Sequence, residues 1–240
     1  MESPGEKFEF VIGKFIYIFL LFVMILGTYY RNEVWRSEVK LLEDCIKKSP
    51  RKPRPYSNLG YAYIISGEYE KAIEFTEKAI QLDPFFSPAY HNLGLIYQKK
   101  GELKKAASLL RKAIDLDPKF YIAYYSLGSI LFQDAQYEEA TKAFGHFLKV
   151  FPYFPNVHHL NGIAYAAQKK FYKAIEEFEW ELRIDPYHTL AHLNLGQIYW
   201  YEFQNKEKAL KHLKAALALD PFLPNKKEIQ SLVNLLERIP

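Results

Sequence analysis

Apolar side chains recur at helical spacing along most of the chain, in pairs of short segments separated by turn residues. Tyr56, Leu59 and Tyr63 show this spacing in the first segment of one pair, and Ala72 and Phe75 show it in the second. Side chains three or four residues apart lie on one face of a helix, so each segment predicts an amphipathic helix. The chain is therefore predicted to be all-α and built from helical hairpins.

The predicted hairpins repeat with a period of 34 residues. Five glycines keep this step: Gly60, Gly94, Gly128, Gly162 and Gly196. Four prolines keep it as well: Pro84, Pro118, Pro152 and Pro186. A fifth proline, Pro221, comes one residue late. Because a glycine costs about 1 kcal/mol in a helix interior, its recurrence needs a packing reason, and we expect the partner helix to approach closely at each one.

The pattern of Leu-Gly, Tyr, Ala and Pro on this period resembles the tetratricopeptide repeat (TPR) family. The resemblance implies a right-handed TPR solenoid of five helical hairpins, each of which buries its faces by stacking on its neighbours. We assign the five repeats to residues 53–86, 87–120, 121–154, 155–188 and 189–223. Gly67 and Gly101 are predicted to lie in the turn between the two helices of a hairpin, where φ becomes positive.

Both ends of the predicted stack depart from the repeat pattern, as a solenoid requires. Residues 31–52 are predicted to form an N-terminal half-repeat that contains a lone second helix. Residues 224–240 are predicted to form a C-terminal capping helix, because four apolar residues share one of its faces: Ile229, Leu232, Val233 and Leu236.

Three residues inside the repeats differ from the repeat pattern and predict local differences in packing. Asn161 occupies a core leucine position and must find a hydrogen-bond partner. Lys169 occupies the position of a turn glycine, and Phe147 occupies a position usually held by alanine. We expect Phe147 to separate or re-angle the two helices that it touches.

The N-terminal region is strongly apolar. Residues 15–30 contain no charged side chain, and residues 11–30 are long enough to be predicted as a transmembrane helix behind a tail of residues 1–10. This predicts a single-pass protein of a bacterial-type inner membrane. A cleaved signal peptide and a buried helix are the alternatives, although no small-residue pair typical of a cleavage site precedes Arg31.

The side of the membrane stays open at this point. Basic residues that follow the apolar segment, such as Arg31, Arg36 and Lys40, favour a cytoplasmic repeat domain by the positive-inside rule. However, the stretch from Arg31 to Tyr63 resembles the junction in bacterial multi-span glycosyltransferase-like membrane proteins that carry TPRs. In that family the repeats lie outside the cytoplasm, and the resemblance implies the same location here.

Composition and motifs argue against catalysis and against nucleic-acid binding. The formal net charge of +4 is too small for a nucleic-acid-binding protein, and a single cysteine excludes a disulfide framework. His188 and His192 have a spacing that can hold a metal ion, but no second ligand pair accompanies them. Acidic pairs such as Glu176-Glu177 are interpreted as solvated helix faces. We therefore predict no enzyme activity, no cofactor and no metal site.

The resemblance also implies a binding surface. In TPR proteins the concave surface is lined by first-helix residues at fixed offsets from the repeat glycine. These offsets predict a peptide-binding groove lined by Asn58, Tyr61, Ile64, Asn92, Leu95, Lys99, Tyr125, Phe132, Ile163, Asn194, Trp200 and Tyr201. An asparagine amide can bond the backbone of an extended peptide, and the aromatic side chains can anchor its side chains. The alternative is that these residues only support helix packing.

The sequence therefore predicts a non-catalytic, membrane-anchored TPR scaffold that binds a protein partner in its concave groove. One alternative is a constitutive subunit of a larger membrane complex. Another is an accessory to envelope glycan assembly, which depends only on the resemblance of the junction.

Overall fold

The computed structural model describes Met24, residues 37–223 and residues 225–239. Residues 37–223 and 225–239 form twelve α-helices and contain no β-strand. The helices are α1 Glu38–Lys48, α2 Pro53–Ser66, α3 Tyr69–Leu82, α4 Ser87–Lys99, α5 Leu103–Leu116, α6 Tyr121–Gln133, α7 Tyr137–Leu148, α8 Val157–Ala167, α9 Phe171–Ile184, α10 Thr189–Tyr201, α11 Lys206–Leu219 and α12 Lys226–Arg238. The chain divides into two units, Met1–Asn92 and Leu93–Pro240, whose boundary falls within α4.

The first unit contains one hairpin with a helix before it. Helix α1 packs on α2, and α2 packs along α3. The core of this hairpin contains Leu59, Ala72 and Ala79, each of which is fully buried. Gly60 explains how closely α2 and α3 approach, because a Cβ atom added to it would lie 2.3 Å from Oγ1 of Thr76.

The second unit is a stack of hairpins in which each helix contacts the next one along the chain. Helices α6 and α7, α8 and α9, and α10 and α11 form the hairpins, and α12 packs against α11. Phe144 and Phe147 are buried in one core cluster, whereas Phe178 and Leu213 are buried in another. The all-α solenoid of helical hairpins that the repeat pattern predicts is confirmed in the described part of the chain.

The repeat glycines of the second unit have the predicted packing role. A Cβ atom added to Gly128 would lie 2.6 Å from a ring carbon of Phe144, and one added to Gly196 would lie 2.6 Å from Cγ of Leu213. Real Cβ atoms do not approach other heavy atoms so closely. Each glycine therefore makes room for a bulky side chain on the second helix of its own hairpin.

The turns inside the hairpins share one backbone geometry. Gly67 and Gly101 have φ of 79° and 80°, which confirms their predicted left-handed turn positions. Ala135 and Lys169 adopt the same region with φ of 56° and 59° although they have side chains. The N–H of Lys170 donates to the Tyr165 carbonyl at 2.9 Å. This hydrogen bond at the end of α8 stabilises the turn at Lys169, where other repeats have glycine.

The connection between the third and fourth hairpins is irregular. Helix α7 ends at Leu148 and α8 begins at Val157, so residues 149–156 connect them, twice the length of the connection 117–120. Phe147 is fully buried, and its ring centroid lies 5.1 Å from those of Phe151 and Phe154. The bulky Phe147 is thus accommodated by an aromatic cluster and a longer corner.

Helix α12 covers the last hairpin. Ile229, Val233 and Leu236 are buried against α11 and its neighbours, whereas the charged residues of α12 are exposed. The predicted capping helix is therefore present. Its apolar face replaces the contact that a further repeat would supply.

The predicted membrane location requires correction. In the part of the chain that the structure describes, no helix is both long and apolar enough to cross a membrane. The longest helices, such as α2, have 14 residues, whereas a membrane-spanning helix needs about 20. The predicted spanning segment, residues 11–30, lies outside the described residues except for Met24, and residues 31–36 of the predicted half-repeat lie outside them as well.

Candidate functional site

The first helices of the hairpins form a shared surface in the second unit. Helix α6 contacts α8, and α8 contacts α10, so equivalent positions of the three helices are neighbours. We call this surface, formed by the predicted groove positions of α6, α8 and α10, the first-helix face. Phe132 and Trp200 occupy the same repeat position on α6 and α10, and Ile163 lies between them in sequence on α8. All three side chains are half-buried, and Tyr201 is exposed.

The first-helix face carries no charge at its central positions. The residues one, four and five positions after the repeat glycines of α6, α8 and α10 are Ser129, Phe132, Gln133, Ile163, Ala166, Ala167, Gln197, Trp200 and Tyr201. The predicted cation Lys99 is exposed at the end of α4, and the predicted Leu95 is half-buried on the same helix. The surface is therefore apolar and amide-rich, not electrostatic.

The predicted asparagines bond within the protein. Nδ2 of Asn194 lies 3.1 Å from Nε2 of His159 and joins α10 to α8. In the first unit, Nδ2 of Asn92 donates to the backbone oxygen of Ser57 at 2.9 Å and to its hydroxyl at 3.0 Å. Each asparagine thus ties a first helix to the residue 35 positions earlier. Each amide nitrogen therefore has a partner within the protein, and Asn92 is buried.

The remaining predicted groove residues differ in accessibility. In the first unit Asn58 and Tyr61 are exposed, whereas Ile64 is buried and offers little surface to a ligand. In the second unit the Tyr125 ring packs 5.4 Å from Phe147 and 5.6 Å from Phe154, so it supports the third hairpin.

The fourth hairpin contains a largely buried polar network that the repeat pattern does not predict. Oε2 of Glu177 lies 2.6 Å from Nδ1 of His158, and Oε1 accepts a hydrogen bond from Nδ2 of Asn161 at 2.8 Å. Asn161 thereby finds the partner that its core position requires, although its Oδ1 has none among the described residues. The prediction that Glu177 lies on a solvated face is wrong, because its side chain is 18% exposed and paired.

The charge state of His158 follows from this geometry. Nε2 of His158 lies 2.9 Å from the Pro152 carbonyl oxygen, so both ring nitrogens face oxygen acceptors, an arrangement that favours the doubly protonated ring. Burial lowers the pKa of the imidazole, but the hydrogen bonds to Glu177 and to the Pro152 carbonyl outweigh it and raise the pKa above its ordinary value. The ring of Trp180 stacks on His158 at 5.7 Å and covers the pair.

A second buried carboxylate caps α8. Glu181 is 1% exposed, and its two oxygens accept the backbone N–H groups of Asn156 at 2.8 Å and His159 at 3.1 Å. The N-terminal end of a helix carries free N–H donors and a partial positive charge, which stabilise the buried charge. The position is alanine in three of the other repeats, so the 34-residue period contains a signal that could identify Glu181 as unusual, although not its partner.

The histidines considered as metal ligands have separate structural roles. Nδ1 of His188 accepts the N–H of Ala191, and its Nε2 bonds Oδ1 of Asn156 at 3.0 Å. His192 bonds the Pro186 carbonyl and His212. Burial and the adjacent His192 lower the pKa of His212 to about 4. Within residues 37–223 and 225–239, no group of three or more His, Cys, Asp or Glu side chains is placed to hold a metal ion.

Comparison with protein families identifies the repeat. Models described as tetratricopeptide repeat match residues 53–86, 87–120, 109–142 and 159–224, which together make up about two thirds of the chain. No curated protein sequence matches the chain.

Several solved structures have a similar arrangement of helices. One is YrrB, described as a TPR protein with an unusual peptide-binding site, with 25% identity, a TM-score of 0.71, and coverage of 79% of this chain and 97% of YrrB. A MamA protein has 26% identity, a TM-score of 0.64, and coverage of 73% and 94%. MamA of Desulfovibrio magneticus RS-1, at 21% identity with a TM-score of 0.63 and coverage of 70% and 94%, shows the fold alone. The resemblance of the junction to glycosyltransferase-like proteins finds no support in these comparisons.

Proposed function

Because the chain belongs to the tetratricopeptide repeat family, we propose that it is a non-catalytic scaffold that binds a protein or peptide segment along its first-helix face. A TPR domain presents side chains from several successive hairpins to one ligand, so a segment of several residues can be held at many points.

The observation that carries this proposal is the apolar, uncharged character of the first-helix face. Phe132, Ile163 and Trp200 are half-buried from below by the core, which restricts their rotamers, while part of each side chain stays accessible. Pre-ordered aromatic side chains lose little entropy when a ligand binds, and such residues dominate binding energy at interfaces. Amide groups such as those of Gln133 and Gln197 lie beside them and can bond a ligand backbone.

The similarity to YrrB supports a peptide as the ligand class, since that TPR protein has a peptide-binding site. The hydrogen bonds of Asn92 and Asn194 change the expected division of roles. We assign the asparagines to alignment of neighbouring first helices, and we assign ligand contact to the aromatic and aliphatic side chains.

The proposal is tested by affinity purification from native extracts with quantitative mass spectrometry. Ile163→Arg places a charge in the centre of the first-helix face, and we expect it to lose the retained partner. Leu235→Arg is the matched control, because Leu235 is 55% exposed on α12 and lies outside this face. Retention of the same proteins by Ile163→Arg and the wild type would exclude the first-helix face as the binding surface.

The same purification distinguishes a transient adaptor from a constitutive subunit. A partner that stays bound through size-exclusion chromatography in fixed proportion indicates a constitutive subunit. A partner that dissociates on dilution indicates an adaptor.

A further inference from the structure

An open apolar pocket lies at the irregular corner between the third and fourth hairpins. It has a volume of about 330 Å³, and its main lining residues are Lys119, Tyr121, Ile122, Phe147, Phe151 and Phe154. Ile122, Phe151 and Phe154 line the pocket together and expose 37%, 45% and 39% of their surfaces. Clustered exposed apolar side chains of this kind mark interaction sites. We call this site the aromatic pocket.

The aromatic pocket is held in shape by buried groups. The Phe147 ring lies 5.1 Å from both Phe151 and Phe154, and the Tyr121 ring lies 6.3 Å from Phe151 edge to face. The connection that presents Phe151 and Phe154 is fixed at two points. The Pro152 carbonyl accepts from His158, and the Asn156 N–H donates to Glu181. A preformed pocket avoids the entropy cost of ordering its walls when a ligand enters.

The rim of the aromatic pocket is positive. Lys119 is the one charged residue among the residues that line the pocket in the structure, and these residues include no Asp or Glu. The nearest acidic residue before Lys119 is Asp117, whose carboxylate accepts the Lys119 N–H at 3.0 Å. Helix α6 begins at Tyr121 without a side-chain cap, so the partial positive charge of its N-terminus adds to that of Lys119.

We propose that the aromatic pocket binds a partner segment in which a bulky apolar side chain is flanked by acidic residues. The apolar side chain packs against the exposed surfaces of Ile122, Phe151 and Phe154. The flanking carboxylates face Lys119 and the start of α6. This site uses different residues from the first-helix face and does not depend on ligand binding there.

The test uses fluorescein-labelled peptides and the full chain, with binding measured by fluorescence anisotropy. The probe has a central Phe between two pairs of Asp, and two matched peptides carry Ala in place of Phe or Lys in place of Asp. We expect the probe to bind, and we expect each matched peptide to bind at least about tenfold more weakly.

Variants of the protein locate the site. Lys119→Glu should weaken the acidic probe by about tenfold and strengthen the Lys-flanked peptide, since the charge at the rim is reversed. Phe151→Ser should weaken both peptides that contain Phe. Lys104→Glu and Phe222→Ser are controls, because both residues are exposed outside the pocket. Lys119→Glu keeps the test valid if Phe151→Ser unfolds, because the Lys119 side chain is exposed.

Three results would overturn the proposal. Equal binding of acidic and basic peptides would exclude recognition by charge. Failure of every peptide to bind would show that the aromatic pocket does not bind such a segment. Loss of probe binding in Ile163→Arg with retention in Lys119→Glu would assign the probe to the first-helix face, which would leave the proposed function intact. Concentration-dependent dimerisation that Phe151→Ser abolishes, without probe binding, would show that a second copy occupies the pocket.

Discussion

The His158 imidazole and the Glu177 carboxylate form a largely buried pair between the two helices of the fourth hairpin, with Nδ1 2.6 Å from Oε2. The other ring nitrogen faces the Pro152 carbonyl oxygen. The protonated ring therefore joins α8, α9 and the corner that lines the aromatic pocket. The interaction between His158 and Glu177 stabilises this region most while the His158 ring carries its positive charge.

The pH dependence of stability is the first prediction. The pKa of His158 is raised in the folded chain above its ordinary value of 6.5, so its contribution is fully present below about pH 6.5 and is lost as the pH rises through the raised value. We expect the difference in unfolding free energy between the wild type and His158→Gln to be largest at acidic pH and to shrink with rising pH. Urea titrations followed by circular dichroism across this range measure the difference.

Glu177→Gln is the control for this effect, because it keeps the shape of the side chain and removes its charge. In this background His158→Gln should show a weaker pH dependence, since the main group that raises the pKa is absent. A difference between wild type and His158→Gln that stays constant with pH would contradict a charged His158.

Asn92 should stabilise the first unit rather than bind a ligand directly. Its amide donates two hydrogen bonds to Ser57 from a buried position, so Asn92→Ala should lower the unfolding free energy by about 1–3 kcal/mol. Asn58→Ala alters the equivalent position of the preceding first helix, where the side chain is exposed, and should change stability by less than about 0.5 kcal/mol. Equal effects of the two substitutions in a thermal or urea melt would refute this role.

Two glycines should respond oppositely to alanine. At Gly128 a Cβ atom would lie 2.6 Å from the Phe144 ring, so Gly128→Ala should destabilise the protein by about 1–3 kcal/mol. At Gly145 no heavy atom lies within 4 Å of an added Cβ, and the residue is inside α7. Gly145→Ala should therefore stabilise the protein by up to about 1 kcal/mol through helix propensity. The prediction fails if urea unfolding shifts both variants in the same direction.

Two buried threonines provide a further matched pair. Oγ1 of Thr76 is buried without a hydrogen-bond partner among the described residues, whereas Oγ1 of Thr141 donates to the Glu138 carbonyl at 2.9 Å. Thr76→Val should raise the unfolding free energy by about 1 kcal/mol, because it removes an unsatisfied polar group. Thr141→Val should lower it by a similar amount. A destabilised Thr76→Val variant would mean that its hydroxyl has a partner.

The sequence predicts those features that depend on residues at fixed short spacings. The turn geometry at Gly67, the close helix contact at Gly128 and the apolar face of α12 all follow from the 34-residue period and helical spacing. The unusual residues Asn161 and Phe147 could be identified from the same period, because they break it.

The contacts that accommodate these unusual residues could not be predicted from the sequence. Asn161 bonds Glu177, which is 16 residues away, and Glu181 caps an N–H group 25 residues earlier. Such pairs depend on the rotamers and on the separation of two packed helices, neither of which a spacing pattern contains. The same limit applies to the groove residues, since the packing of Tyr125 on Phe147 follows from the local shape of the corner.

Site-specific photo-cross-linking tests the central claim, ligand binding on the first-helix face, most directly. A photoreactive amino acid replaces Ala167, an exposed residue at the end of α8 on this face, and in a control variant it replaces Lys142, an exposed residue of α7. The proposed function predicts that a partner protein is cross-linked from position 167 and not from position 142. Cross-links that form only from position 142, or equally from both positions, would contradict it.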